Sequence, residues 1–239
     1  MRKLPHAAHW VYAAFVDKIV DNARVQEHGE PERPEDRLRA AIVAGRLLPN
    51  ERLVEADLTR RLGVGRSAVR TALARLEHEG LVELEPHRGA RVRLVSVPEA
   101  IEILQARAAL EGLAAHRAAG NATDPDIADL RAILADMRGL LDAGDLLKAS
   151  DANAVLHRRL LEIGGHATAN RLIDGLRSQL VRFTYRTILL PGRSERSFAE
   201  HTAIVEAVAA HDGAAAERAM RRHLSHVADA LRHTQDAEA

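Results

Sequence analysis

The chain has 239 residues, of which 46% are hydrophobic and 28% charged, a composition that suits one large globular domain or two modest ones. Only 3% of the residues are aromatic, while Ala, Leu and Arg recur throughout, which predicts a mainly α fold. The absence of cysteine excludes disulfides and thiolate metal sites and favours a cytoplasmic location. The formal net charge of +0 argues against indiscriminate binding to polyanions.

Residues 1–32 are predicted to form an N-terminal extension that precedes the first domain. The pattern of residues 9–25 predicts a short amphipathic helix with Trp10 and Phe15 on its apolar side, followed by a polar linker. Charged residues interrupt the apolar run, which is shorter than the roughly 20 apolar residues that a membrane span requires. We therefore expect neither export nor membrane insertion.

Residues 33–95 are predicted to form a first domain of three short helices and a hairpin. Helical stripes cover residues 35–45 and 55–62, and a third helix is predicted over residues 66–79, with the glycine that follows as its C-terminal stop. The period then changes from 3.6 to 2, and residues 86–90 supply a turn between two alternating segments. Three helices followed by a hairpin are typical of a winged helix-turn-helix.

Residues 96–239 are predicted to form a second, all-helical domain, because no strand pattern returns there. Ser96 and Glu99 have the spacing of a capping box, which opens a helix that continues to about Ala119. Glycine-containing breaks divide residues 97–233 into about six helical segments, which predicts a bundle with short connections.

The third predicted helix is polar on one side. A helical wheel separates its apolar residues from a group of four polar ones, Arg66, Ser67, Arg70 and Thr71. A major groove admits one helix, and arginine can bond O6 and N7 of guanine for about 1–3 kcal/mol of discrimination. Residues 33–95 also hold thirteen arginines against nine acidic residues, and the hairpin tip carries His87, Arg88 and Gly89. These features predict a DNA-binding surface, the alternative being an ordinary solvated helix face.

The stretch AIVAGRLLPNERLVEADLTRRLGVGRSAVRTALARLEHEGLVELEPHRGARV, residues 41–92, resembles the N-terminal DNA-binding domain of the GntR family of transcription regulators. The resemblance implies that Arg66 and Arg70 contact DNA and that His87 and Gly89 lie at the tip of the wing.

Three positions depart from the family pattern. Ala56 stands where the family often has arginine, so one DNA contact is expected to be missing. Gly65 replaces the usual capping serine, and Asn50 replaces the usual glycine.

Histidines in the second domain are candidate metal ligands. Asn153 and His157 are four residues apart and share one side of a helix, while His201 and His223 lie in later helical segments. Imidazole and amide oxygen suit a divalent ion, at about 2.0–2.2 Å for zinc, and four such groups leave coordination positions open. Spacing alone also allows ordinary histidines that are hydrogen-bonded in the interior or exposed.

The stretches QARAALEGLAAHRAAG, NAVLHRRLLEIGGHATANRLI and EHTAIVEAVAAHDGAAAERAMRRHL resemble the FCD effector-binding domain of the FadR subfamily. With the winged helix-turn-helix, the resemblance covers residues 35–233. It implies a divalent metal, zinc first and nickel or manganese as alternatives, held by Asn153, His157, His201 and His223. Asn153 stands where aspartate is frequent, which lowers the negative charge of the site.

Three arginines are candidates for binding the carboxylate of an effector beside the metal, namely Arg107, Arg182 and Arg186. Each can instead cover apolar surface or pair with a neighbouring acid such as Glu111.

The leading interpretation is a cytoplasmic, homodimeric transcription regulator that binds a double-stranded operator and is released from it by a small organic acid. One alternative is a metal-dependent enzyme, because histidines around an open coordination position can activate water. The sequence has no HExxH motif, nucleophile elbow or phosphate loop, which argues against an enzyme. The other alternative is a constitutive DNA-binding protein with a structural metal.

Overall fold

The structure is a computed structural model that describes residues 33–85, 89–180, 183, 187–188 and 190–236, with side chains to residue 233. The chain divides into two compact units, with the boundary between Leu94 and Val95. The helix expected around Trp10 lies outside the described residues. Among the described helices, none has both the length and the apolar character needed to cross a membrane.

The first unit has three helices in its described part: α1 (Pro34–Val43), α2 (Glu55–Leu62) and α3 (Arg66–His78). Gly80, with a φ of +72°, follows the end of α3. Its N–H donates to the Glu77 carbonyl, and the N–H of Leu81 donates to the Leu76 carbonyl, both at 2.9 Å. This is a Schellman motif, so the prediction that Gly80 ends the helix is confirmed.

A three-stranded antiparallel sheet completes the first unit, with strands β1 (Arg52–Leu53), β2 (Val82–Glu85) and β3 (Gly89–Val92) in the order β1-β3-β2. The predicted hairpin is present, but β3 begins two residues earlier than the expected Arg91. β1 was not predicted, because two residues carry no alternation. It exists through pairing with β3, in which Arg52 lies opposite Arg91.

The core of the first unit lies between α3 and the sheet. Val69, Leu73 and Leu76 of α3 are buried together with Leu53 and Val92 from the strands. The opposite side of α3 therefore remains exposed, as expected for an amphipathic helix.

The second unit has six helices in its described part: α4 (Val97–Asn121), α5 (Asp124–Asp142), α6 (Leu146–Gly164), α7 (Ala167–Gln179), α8 (Arg193–Ala209) and α9 (Gly213–Asp236). The Ser96 hydroxyl accepts a hydrogen bond from the Glu99 N–H at 3.3 Å, which satisfies one of the free donors at the start of α4. The mainly α fold, with a winged helix-turn-helix followed by an all-helical bundle, is thus confirmed.

α4 is the central helix of the bundle and packs against α6, α8 and α9. Ala114, Ala115, Ala118 and Ala119 are buried on it, and such small side chains let neighbouring helices approach closely. The packing of these helices around α4 places polar residues from several of them together in the interior of the second unit.

Candidate functional site

Four residues of α3 form an exposed surface that we call the arginine face: Arg66, Ser67, Arg70 and Thr71. They lie in the first two turns of α3, opposite the buried Val69 and Leu73. The structure therefore brings together the α3 residues that the sequence singled out.

Arg70 has an acidic partner on α2. Its Nε donates to both carboxylate oxygens of Glu55, at 2.9 and 3.1 Å, while its side chain stays 70% exposed. Arg66, by contrast, makes no ion pair with any described residue. Since Glu55 engages only Nε, the two terminal nitrogens of Arg70 remain available to a further partner.

Of the three residues expected at the hairpin tip, Gly89 is described, whereas His87 and Arg88 lie outside the described residues. Gly89 has a φ of +89°, and a Cβ on it would lie 2.9 Å from the carbonyl oxygen of Leu53. Both the backbone conformation and the closeness of β1 favour glycine. The position has a structural requirement that is independent of DNA.

The departures from the family pattern have visible structural consequences. Asn50 has a φ of +68°, a left-handed conformation that asparagine tolerates better than most residues. Gly65 precedes α3 and provides no side-chain cap. Ala56 is exposed on α2, where it offers no hydrogen-bonding group.

Three histidines from three helices meet inside the second unit, and we call this cluster the histidine centre: His157 on α6, His201 on α8 and His223 on α9. They are 2%, 1% and 3% exposed, and one potential ligand atom of each lies within 4.8 Å of the others. The Nε2 atoms of His157 and His201 are 3.2 Å apart. Two ligands about 2.1 Å from one tetrahedral ion would be separated by a similar distance.

Two carboxylates orient the rings of the histidine centre. Glu111 on α4 lies 2.6 Å from Nδ1 of His157, and Glu200 on α8 lies 2.7 Å from Nδ1 of His223. An ionised carboxylate only accepts hydrogen bonds, so each Nδ1 must carry the proton and each Nε2 keeps its lone pair. Carboxylate–histidine pairs of this kind are typical supports of metal ligands.

Burial keeps the three imidazoles neutral. It lowers the pKa of His157 to about 4, despite the opposing effect of Glu111, and holds the pKa of His201 well below the usual value. Burial also lowers the pKa of His223, against the hydrogen bond to Glu200. Neutral imidazole is the form that binds metals, so the centre has ligand character at neutral pH.

The supporting carboxylates stay ionised. Burial raises the pKa of Glu111, but Arg107 and His157 outweigh it and hold the pKa well below the usual value. Burial likewise raises the pKa of Glu200, but hydrogen bonds with His223 and His226 bring it to about 2. The negative charge beside the imidazoles favours a cation at the centre.

Asn153 on α6 completes the set of expected ligands. Its Oδ1 is buried and has no hydrogen-bond partner, although buried amide oxygens normally have one. Nδ1 of His201 is also buried without a partner. An orphaned oxygen one helical turn before His157 fits a ligand whose partner is a metal ion.

The three candidate effector arginines have different outcomes. Arg107 is buried, and its Nε and Nη2 atoms lie 2.8 and 2.7 Å from one oxygen of Glu111. Arg182 and Arg186 lie outside the described residues. Arg177, which the sequence did not single out, lies 3.9 Å from the same oxygen of Glu111.

Neither supporting carboxylate was predicted from the sequence. Glu111 was considered only as a partner for Arg107, four residues away on the same helix. Glu200 was not considered, because its contacts with His223 and His226 depend on how α8 packs against α9. No local spacing signals either contact.

Comparisons with known proteins agree with this fold. The family model described as bacterial regulatory proteins, gntR family, matches residues 32–92, and the FCD domain model matches residues 102–226. The HTH-type transcriptional repressor RspR of Escherichia coli strain K12 is 28% identical over 195 residues, covering 82% of this chain and 86% of RspR. The HTH-type transcriptional regulator LutR of Bacillus subtilis strain 168 is 30% identical over 211 residues, covering 80% of this chain and 95% of LutR.

A solved structure of Escherichia coli McbR/YncC has the same fold. It superposes with a TM-score of 0.71 at 20% sequence identity, covering 87% of this chain and 100% of McbR/YncC. A winged helix-turn-helix joined to an all-helical domain defines the class of the protein, a DNA-binding transcription regulator. The chain belongs to the GntR family of bacterial regulatory proteins, and its second unit contains an FCD domain. The family consists of transcription regulators, so the enzyme alternative is rejected.

Proposed function

We propose that the protein is a repressor that leaves its operator when a small organic acid binds beside a divalent metal in the FCD domain. The observation that carries the proposal is the histidine centre, in which three buried, neutral imidazoles converge. The name of the relative RspR, a transcriptional repressor, supports the direction of regulation.

In this proposal the arginine face enters the major groove of the operator. Arg66 and Arg70 contact base edges, and Ser67 and Thr71 contact phosphates or bases. The wing residues His87, Arg88 and Gly89 follow the adjacent backbone or groove. The exposure of all four α3 residues supports this assignment.

The metal, zinc first and nickel or manganese as alternatives, would be held by Asn153, His157, His201 and His223. The donor set of three imidazoles and one amide oxygen suits a borderline divalent ion. A metal held by four protein ligands would need a coordination number of five or six to accept the carboxylate of an effector as well.

The effector site would lie beside these ligands and use Arg107, Arg182 and Arg186 to bind the acid. Arg107 is already engaged by Glu111, so it would share its guanidinium between Glu111 and the effector. The nearby Arg177 is a further cation through which this region favours an anionic ligand.

We further propose a cytoplasmic homodimer of the FadR subfamily that presents two copies of α3 to a pseudo-palindromic operator. The effector would change DNA affinity only by as much as it binds the two states of the dimer differently.

Two double variants test the two parts of the proposal separately. Arg66→Ala with Arg70→Ala should lose sequence-specific operator binding in a gel-shift or anisotropy assay, while fold and metal content persist. Operator affinity that survives both changes would show that the arginine face is not the specificity surface.

His157→Ala with His201→Ala should lose the metal and the effector response but keep DNA binding. Elemental analysis of the purified protein, with thermal-shift screening of small carboxylic acids with and without chelator, provides the measurement. Metal without any acid response would instead support a constitutive DNA-binding protein with a structural metal. Unchanged metal content in the double variant would exclude these histidines as ligands.

A further inference from the structure

A second candidate binding site lies outside the histidine centre, where the beginning of α8 meets the last turns of α9. A cavity of about 430 Å³ opens there, and we call it the basic cavity. Its charged and titratable lining residues are Arg193, Arg196, His226, Asp229, Arg232 and His233. A volume in this range suits a small molecule.

Arginines outnumber acids in the lining of the basic cavity. Three arginines line it, against the single acid Asp229, which is already paired with Arg232, and two histidines add further polar groups. Within the described part of the chain, Arg196 makes no ion pair. Guanidinium groups bind carboxylate and phosphate through paired hydrogen bonds, so the lining favours an oxyanion.

The helix that contributes Arg193 and Arg196 adds to this preference. Both residues lie in the first turn of α8, where the partial positive charge of the helix normally favours acids. Gly192, immediately before the helix, has no side chain with which to cap it. Arg193 is already paired with Glu200, so an anion in the cavity would mainly offset the repulsion between the helix terminus and Arg196.

We propose that the basic cavity binds a small, multiply charged oxyanion, a phosphate compound or a polycarboxylate, as a second ligand site of this protein. This site is separate from the effector position beside the metal. Its existence does not depend on whether the histidine centre holds an ion.

The same region is connected to the histidine centre through Glu200. One oxygen of Glu200 lies 3.1 Å from the guanidinium of Arg193 and 2.7 Å from Nδ1 of His223, and the other lies 2.7 Å from Nδ1 of His226. An anion that engages Arg193 and His226 would therefore share partners with the carboxylate that orients a proposed metal ligand. The link rests on the proposed function, whereas anion binding itself does not.

The test is calorimetric titration of the full chain with inorganic phosphate and, separately, with propane-1,2,3-tricarboxylate. The variant Arg196→Gln with Arg232→Gln should weaken binding of the preferred anion by at least about tenfold, since each lost charge-assisted hydrogen bond corresponds to about a tenfold change. Arg218→Gln with Arg222→Gln is the matched control, because it removes the same charge from exposed positions of α9 outside the cavity. The control should bind as the unmodified protein does.

The variant His157→Ala with His201→Ala separates the basic cavity from the metal. Retained anion binding in that variant supports the cavity, while loss of binding there would place the anion on the metal and overturn the proposal. Equal weakening by the cavity and control variants, or no binding of either probe, would also overturn it. Comparing the two probes decides between phosphate compounds and polycarboxylates.

Discussion

Replacing Glu111 by glutamine should destabilise the second unit strongly. The carboxylate is 1% exposed, and it accepts hydrogen bonds from Arg107 through one oxygen and from His157 through the other. Glutamine keeps the shape and one acceptor oxygen, but it removes the charge that compensates the buried Arg107. Breaking a buried ion pair in this way costs about 3–5 kcal/mol, because an uncompensated charge is left in the interior. Urea unfolding of chelator-treated protein, followed by far-ultraviolet circular dichroism, measures the loss.

A matched exposed pair provides the control. Arg131 donates to both oxygens of Glu206, at 3.2 and 3.0 Å, and both side chains are 55% exposed. Glu206→Gln makes the same chemical change in a solvated pair, so the urea midpoint should not move measurably. If Glu111→Gln and Glu206→Gln unfold at the same urea concentration, the reasoning from burial is refuted.

The same variant also tests the role of Glu111 beside the proposed metal. Loss of a carboxylate that orients a metal-binding histidine weakens metal binding by about 10–100-fold. Competition with a chromophoric chelator should show this loss for Glu111→Gln and none for Glu206→Gln. Unchanged metal affinity in Glu111→Gln would limit the residue to a structural role.

Four further outcomes are expected. Gly89→Ala should lower the free energy of unfolding of the first unit by about 2–4 kcal/mol, because the strained backbone and the close contact with Leu53 both cost energy. Faster proteolysis of the hairpin would show this loss. Glu55→Gln should weaken specific operator binding without changing the fold, since Arg70 loses the anion that orients it; unchanged affinity in anisotropy titrations would exclude that role. Thr123→Ala should lower the free energy of unfolding by about 1 kcal/mol, because α5 loses its N-terminal cap. Hydrogen bonds from Thr123 lower the pKa of Asp126 below its usual value of 3.8. The ionised Asp126 therefore stabilises the fold above pH 3.8, and this stabilisation is lost as the pH falls through the lowered pKa. Acid unfolding of Asp126→Asn, which lacks this titration, checks the prediction.

Elements defined by local patterns could be predicted from the sequence. The apolar stripe of α3, the glycine at its end and the capping residue of α4 each depend on residues within one or two turns. β1 could not be predicted, because its two residues become a strand only by pairing with Arg91 and Ala90, which lie far away in sequence. The start of β3 was displaced for a similar reason: Gly89 belongs to the strand because it pairs with Glu85 of β2, and glycine has no preference of its own for strands.

The candidate metal ligands could be predicted from residue spacing only in part. Asn153 and His157 could be related by helical spacing, but His201 and His223 lie on other helices, and their assignment rested on family resemblance. The structure brings His157, His201 and His223 together through the packing of three helices, which spacing within one helix does not encode. Burial lowers the pKa of each of these three imidazoles, which keeps them in the neutral form that binds a metal.

Glu111 shows most clearly why a local explanation can hide a functional contact. Its spacing from Arg107 accounts for the pair they form, and that pair uses one carboxylate oxygen. The second oxygen contacts His157, 46 residues further along the chain. A helical i,i+4 pair is usually a modest stabilising contact on a surface. Here the pair is buried, so Arg107 keeps Glu111 ionised, and the ionised carboxylate in turn directs the Nε2 lone pair of His157 toward the other histidines. An apparently ordinary ion pair of α4 thus becomes part of the proposed metal site.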